Sequence, residues 1–117
     1  MTDYPKTLNR NHLFARAYRS KLCFVSPFVV TYVVRKRGGD LHVGITASKK
    51  VGGAVQRNRA RRVVKAAAYE ALRGSSGSYD VVFVCRKAIL SKKSTFIKKV
   101  ISDHLAQAGI IRHTRSQ

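Results

Sequence analysis

Cationic side chains are concentrated between Ser48 and Lys65, in the segment Ser-Lys-Lys-Val-Gly-Gly-Ala-Val-Gln-Arg-Asn-Arg-Ala-Arg-Arg-Val-Val-Lys. Seven of these residues are basic and none is acidic. Guanidinium groups bind phosphate oxygens in a bidentate manner and stack on bases, and the asparagine carboxamide adds a directional hydrogen bond. The segment therefore predicts a nucleic-acid-binding surface. Its candidate binding residues are Lys49, Lys50, Arg57, Asn58, Arg59, Arg61, Arg62 and Lys65.

The second half of this segment predicts an amphipathic helix, because no proline occurs between Ala54 and Arg73 and most residues favour helix. Small apolar residues fall on one side of the helix, and basic residues occupy the adjacent and opposite side. The apolar residues are Ala60, Val63, Val64, Ala67 and Ala71. Cations crowd the N-terminal turn and repeat four residues apart, which destabilises an isolated helix. A polyanionic partner would relieve this repulsion, whereas a merely solvated face would normally mix charges of both signs.

The block from Lys49 to Arg62 resembles the RNR signature of the bacterial ribonuclease P protein subunit, and the resemblance covers nearly the whole chain. In that family the RNA subunit holds the catalytic Mg²⁺ ions and cuts the phosphodiester bond 5′ to mature tRNA. The resemblance implies that this protein binds the ribonuclease P catalytic RNA and precursor tRNA. It would then assist endonucleolytic removal of the 5′ leader, as a subunit of the holoenzyme and with no cofactor of its own.

Two aromatic residues, Phe14 and Tyr18, lie at helical spacing near the start of the chain. Packing in the core would explain both rings. The family resemblance instead implies that they line a cleft for the single-stranded 5′ leader of precursor tRNA, with Val29 and Thr31 on the neighbouring strand. Tyr32 would replace Thr31 there if the register of that strand were shifted by one residue.

The predicted order of elements is α-β-β-β-α-β-α, an α+β fold (α/β sandwich) with a mixed sheet of about four strands and three helices. The first helix is capped by Thr7 or Asn9, the strands cover 22–25, 28–34, 41–47 and 79–85, and the last helix runs from Ser94 to Gly109 with Phe96 on its apolar stripe. Residues 35–40 contain two glycines and predict a hairpin that makes the second and third strands antiparallel neighbours. The resemblance implies a left-handed crossover through the basic helix, and Arg86 matches a family arginine after the last strand.

Composition indicates one RNA-binding domain over residues 1–117, with flexible ends at about 1–6 and 110–117. The net charge of +19 calls for a polyanionic partner, nucleic acid first and an anionic membrane surface second. No apolar run approaches the length of a membrane span and no secretory segment is evident, so we expect a cytoplasmic protein. Cys23 and Cys85 share no ligand spacing and are expected to be reduced core residues.

Residues that could perform catalysis are sparse. The chain has five carboxylates, and no two of them lie within four residues of each other. The histidines lack metal-ligand spacing with the cysteines. The sequence therefore nominates no catalytic residue and no metal ligand, and we expect the isolated protein to have no nuclease activity.

Two other classes of protein share the basic composition. A ribosomal or other structural RNA-binding protein would have similar charge and fold class, but no leader cleft and no effect on tRNA processing. A protein that binds anionic membranes or compacts DNA would need neither Asn58 nor the flanking sheet. The sequence gives no sign of an obligate protein partner.

Overall fold

The predicted succession of helices and strands is present, and one short strand is added at the start of the chain. The computed structural model describes residues 6–7, 11–20, 22–73, 75 and 77–111. The elements are β1 (Lys6–Thr7), α1 (Asn11–Tyr18), β2 (Leu22–Val25), β3 (Val29–Arg35), β4 (His42–Thr46), α2 (Ala54–Leu72), β5 (Tyr79–Cys85) and α3 (Ser94–Gln107), with a 3-10 helix (Lys87–Ser91) before α3. The predicted α+β fold is therefore confirmed.

The last strand, β5, lies in the middle of a sheet whose order is β1-β4-β5-β3-β2. It pairs antiparallel with β3 and parallel with β4. The predicted hairpin between β3 and β4 is therefore wrong, because β5 separates them. Val81, Val82 and Phe83 of β5 are fully buried on alternate faces, and a strand that is apolar on both faces is most stable where both are covered. The crossover between β4 and β5 runs through α2, and its left-handed sense stays a prediction.

Both ends of the chain are more structured than the sequence predicted. Thr7 pairs with Val43 in β1 and α1 begins at Asn11, whereas Asn9 lies outside the described residues, so the predicted cap stays untested. At the other end, Ile110 and Ile111 pack against the core, although the flexible tail was expected to begin at 110. Residues 1–5 and 112–117 lie outside the described part of the chain.

The two faces of the sheet are covered unequally. Helices α2 and α3 enclose the main core on one face, with Phe83, Leu72 and Ile101 among its fully buried side chains. On the other face, α1 packs through Ala17 on Val82, and a rim of partly buried side chains surrounds this contact. The rim consists of Phe14, Tyr32, Val34 and Val84. A single eight-residue helix therefore leaves much of the second face open to solvent.

A seam of small side chains holds α2 against the core. The buried residues of the helix are Ala60, Val64, Ala67, Ala68 and Leu72, and Val63 and Ala71 are partly buried beside them. Thus the apolar stripe predicted for α2 is confirmed. At the entrance to the helix, Gly52 has a φ of 151°, and an added Cβ would overlap the side chain of Gln56. The Gln56 Oε1 atom accepts a hydrogen bond from the Gly53 backbone N–H at 2.6 Å.

The apolar stripe predicted for α3 is confirmed at Ile97, Ile101 and Leu105, which are fully buried. It is wrong at Phe96, which is 39% exposed. His104 takes a core position instead: its Nδ1 atom lies 2.7 Å from Thr31 Oγ1 on β3. Burial lowers the pKa of His104, and the charge of Asp103 opposes this shift. The neutral imidazole therefore belongs to the folded state.

The buried His104 makes stability depend on pH. We expect the free energy of unfolding to decrease as the pH falls below about 6.5, because the unfolded chain then binds a proton that the folded chain excludes. The slope reaches at most about 1.4 kcal/mol per pH unit and ends at the lowered pKa of the folded state. Urea denaturation at several pH values across this range should show that the free energy of unfolding depends less on pH in His104→Asn than in the wild type. Parallel pH profiles for the two proteins would contradict the assignment.

Candidate nucleic-acid interface

The eight predicted binding residues of the basic segment lie together on the surface. Lys49 and Lys50 are exposed in the turn before α2, which is closed by a 3.0 Å hydrogen bond from the Val51 N–H to the Ser48 carbonyl. On α2 the exposed members are Asn58, Arg59, Arg62 and Lys65, whereas Arg57 and Arg61 are half-buried. No acidic residue occurs in the first turn of the helix. The fold therefore gathers these groups into one cationic surface, which we call the basic face.

Two arginines of the basic face differ in how the protein holds their side chains. The Arg61 Nη2 group donates a hydrogen bond to Asn58 Oδ1, three residues earlier on the helix. The Nε atom of Arg57 is buried and has no hydrogen-bond partner among the described residues. A buried donor without a partner costs roughly 1–3 kcal/mol. Asn58 thus orients a guanidinium group, and Arg57 retains a donor that an oxygen of a bound ligand would satisfy.

A cavity of about 400 Å³ opens between α1, β4 and the basic face. The lining residues are Phe14, Val43, Ile45, Asn58, Arg61, Arg62, Lys65 and Tyr69. Its floor is apolar, and its rim carries three cations and a carboxamide. The Lys65 Nζ atom lies 5.6 Å from the centre of the Tyr69 ring, within the range of a cation–π contact. Such a lining suits a ligand that has both an aromatic surface and negative charge.

A second cavity, of about 410 Å³, lies along α1 and is lined by Phe14, Ala15, Tyr18 and Thr46. Tyr18 is 45% exposed, and its ring meets Tyr32 edge-on with the centroids 5.3 Å apart. Phe14 lines this cavity as well as the one beside the basic face. The aromatic cleft beside α1 and the basic face are therefore neighbouring surfaces that share one side chain.

Two residues predicted for the leader cleft, Val29 and Thr31, are on the other face of the sheet. Both are fully buried: Val29 belongs to the main core, and Thr31 contacts His104 of α3. Side chains alternate along a strand, so the face that α1 covers receives Val30, Tyr32 and Val34 instead. The expected cleft position is therefore wrong for Val29 and Thr31, and Tyr32 lies on the face that α1 covers, with its ring against Tyr18. Binding of a leader to this face stays a prediction.

Other residues of the open face were not predicted. By the register of β2, β3 and β5, these residues lie on the side of the sheet that α1 covers. They are Cys23, Val25, Val30 and Val84. Val25 is 66% exposed and Cys23 is exposed too, so the expected core position is wrong for Cys23. It is confirmed for Cys85, where burial raises the pKa of the thiol to about 11 despite the opposing charge of Arg61. Alternation of apolar and polar residues along a strand would have identified the open face, but β3 is apolar on both faces and shows no such alternation.

Arg86 lies at the end of β5 and is exposed. Its Nη1 group donates a 3.2 Å hydrogen bond to the Ser26 carbonyl, and its backbone N–H donates to the Phe28 carbonyl at 3.0 Å. Arg86 thereby ties the turn between β2 and β3 to the end of the central strand. Its guanidinium remains a surface cation beside the open face.

Side chains that could bind a metal ion do not converge in the described ranges. No group of three His, Cys, Asp or Glu side chains there is arranged to hold a metal ion. Asp80 is buried, but its Oδ1 atom pairs with Lys36 Nζ at 2.8 Å, which fixes the connection between β3 and β4. None of the described helices has the length and apolar character that crossing a membrane requires.

Comparison with known proteins gives the family of the chain. The family model described as Ribonuclease P matches residues 4–109. The chain is 35% identical over 96 residues to the ribonuclease P protein component of Clostridioides difficile (strain 630), which covers 78% of this chain and 79% of the relative.

Solved structures show the same fold. The Staphylococcus aureus RNase P protein has a TM-score of 0.79 at 21% identity, over 91% of this chain and 97% of that one. A Staphylococcus aureus RNase P protein mutant with defective mRNA degradation activity has a TM-score of 0.79 at 22% identity, over 90% and 89% of the chains. By sequence and by fold, the chain belongs to the ribonuclease P protein family.

Proposed function

We propose that the protein is the RNA-binding subunit of a ribonuclease P holoenzyme that removes the 5′ leader of precursor tRNA in the bacterial cytoplasm. The observation that supports this most directly is the adjacency of two surfaces. A cationic helix face suits a folded RNA, an aromatic cleft suits a single strand, and Phe14 lies between them. A holoenzyme that joins a catalytic RNA to an unpaired leader requires both surfaces on one small domain.

The basic face would bind the catalytic RNA through its phosphates. Arg59 and Arg62 are exposed and offer bidentate contacts, and Arg61 is held ready by Asn58. The electrostatic repulsion among these cations decreases when phosphates come between them. RNA binding therefore also stabilises the helix that carries them. Mg²⁺ and the cleavage chemistry would belong to the RNA subunit, since the described residues bring no catalytic cluster together.

The cleft beside α1 would hold the leader. Tyr18 and Tyr32 present aromatic surfaces, and Val25 and Val30 extend an apolar floor across the open face. Stacking on aromatic side chains contributes roughly 1–3 kcal/mol per base and tolerates any sequence, because every base has an aromatic face. This suits a subunit that must accept leaders of different sequence.

Activity at low magnesium provides the first test. We expect the protein to restore 5′ cleavage of precursor tRNA by a bacterial ribonuclease P RNA, because its cations replace part of the Mg²⁺ that screens phosphate repulsion. The RNA-free protein should cut neither precursor tRNA nor mRNA. Purified protein that cleaves precursor tRNA alone would contradict the assignment of catalysis to the RNA. Tight binding to ribosomal RNA without any stimulation would favour a structural RNA-binding role.

The salt dependence of assembly tests the basic face. Arg59→Ala and Arg62→Ala should each flatten the slope of log affinity against log salt by about 0.7–0.9, since each arginine releases condensed counterions. Asn58→Ala should lose affinity equally at low and high salt, because it removes the hydrogen bond that orients Arg61 and leaves the number of cations unchanged. The matched control is Arg37→Ala, an exposed arginine in the connection between β3 and β4. Identical slopes for all four variants would place the binding surface elsewhere.

Neighbouring residues on opposite faces of β3 provide the test of the cleft. Tyr32→Leu should weaken precursor tRNA binding to the holoenzyme by about 1–3 kcal/mol, the worth of one stacked base, and leave mature tRNA binding unchanged. Thr31→Val, on the buried face, should change the stability of the protein but not this preference. Equal losses for precursor and mature tRNA in a folded Tyr32→Leu protein would show that the ring is needed only for packing.

A further inference from the structure

An aromatic and basic surface lies outside both cavities, at the start of α3. The rings of Phe28 and Phe96 meet edge-on with the centroids 5.1 Å apart. The Lys92 Nζ atom lies 4.9 Å from the centre of the Phe96 ring and 5.8 Å from that of Phe28. Phe96 is 39% exposed, although the pattern of α3 would allow it to point inward. We call these three side chains the Phe96 patch.

The charge around the Phe96 patch has one sign. Residues 81–102 contain six cations and no carboxylate. Lys98 is paired with Glu70, whereas none of the other ion pairs found among the described residues involves this segment. The other exposed cations of this segment are Arg86, Lys87, Lys93 and Lys99. A surface with an excess of positive charge of this kind attracts a polyanion.

The patch lies near the β2 edge of the open face. Phe28 follows Val25 by three residues, a distance of at most about 10 Å along an extended chain. Val25 belongs to the open face of the sheet, and Arg86 holds the turn between them through the Ser26 and Phe28 carbonyls. A strand of RNA that crosses the open face past Val25 would therefore reach the Phe96 patch next.

We infer that the Phe96 patch binds an unpaired nucleotide of RNA, with the base stacked on the Phe96 ring and the adjoining phosphate on Lys92. A duplex would offer phosphates but no free aromatic face, so an exposed ring among cations is complementary to a single strand. Lys92 covers the ring in the free protein and is exposed, so it can move to a phosphate when a base replaces it. The choice of RNA as ligand rests on the proposed function. The nucleotide belongs either to the leader or to an unpaired segment of the catalytic RNA.

The absence of tryptophan from the chain makes a specific reporter available. In Phe96→Trp, the indole is the only tryptophan, and a base stacked on it should quench its fluorescence when a short oligoadenylate is added. The matched control is Gln107→Trp, at the exposed far end of α3 and about 16 Å away along the helix, where no quenching is expected. Phe96→Ala should weaken binding of the same oligonucleotide by about 5- to 150-fold, the equivalent of one lost stacking contact.

Lys92 can be tested by the same measurement. Lys92→Gln should flatten the slope of log affinity against log salt for oligoadenylate by about 0.7, the value of one phosphate contact on a single strand. Arg37→Gln, an exposed arginine beyond the end of β3 that is opposite to Phe28, should leave this slope unchanged. Quenching of Phe96→Trp by the catalytic RNA alone would assign the nucleotide to that RNA. Quenching that needs precursor tRNA and grows with leader length would assign it to the leader.

Some results would overturn the inference. One such result has two parts. The fluorescence of Phe96→Trp is not quenched by oligoadenylate, by catalytic RNA or by precursor tRNA, and Phe96→Ala binds RNA with the affinity of the wild-type protein. Another is a change of oligomeric state by Phe96→Ala in sedimentation experiments with RNA binding unaffected, which would make the patch a protein contact. The proposed function is judged separately, by stimulation of cleavage with the wild-type protein, so the two can fail independently.

Discussion

The fold depends on burying the small-residue seam of a helix that is unfavourable in isolation. α2 places arginines and lysines at its N-terminal end and spaces them four apart, and each such pair costs a few tenths of a kcal/mol. Ala60, Ala67 and Ala68 let the helix lie close to the core, where Val64 and Leu72 are fully buried. Packing of this kind, rather than intrinsic propensity, supplies most helix stability in proteins. The seam thereby fixes where the cations point, and the position of the basic face follows from it.

The second determinant is the unequal covering of the sheet. Two helices and their connections exclude water from one face, so Val29, Thr31 and Phe83 serve the core. On the other face the short α1 leaves apolar and aromatic side chains partly exposed, and this face is the one that the proposed function uses. Phe14 belongs to both cavities, so a ligand that displaces it in one cavity changes the shape of the other.

Local sequence patterns predicted the elements well and their neighbours less well. The bounds of β5 and the start of α2 follow from apolar runs and glycines, which act over a few residues. β5 pairs with both β3 and β4 because a strand that is apolar on both faces is most stable at the centre of the sheet. The glycines between β3 and β4 predict a turn there and carry no information about which strand takes the central position. The choice between Thr31 and Tyr32 failed for a related reason: both faces of β3 are apolar, so alternation alone does not say which face α1 covers. The basic face needed no such information, because a run of seven cations without a carboxylate can only lie at a surface, and five of them are exposed.

The central place of β5 also constrains the order in which the protein can form during synthesis. Strands β3 and β4 leave the ribosome first, but each presents an unpaired edge to the gap that β5 later fills. Until residues 79–85 have emerged, α2 has no complete sheet to pack on, and its cations remain on an unsupported helix. The nascent chain is therefore expected to stay open until late in translation, when one strand joins both halves of the sheet and the cationic helix docks.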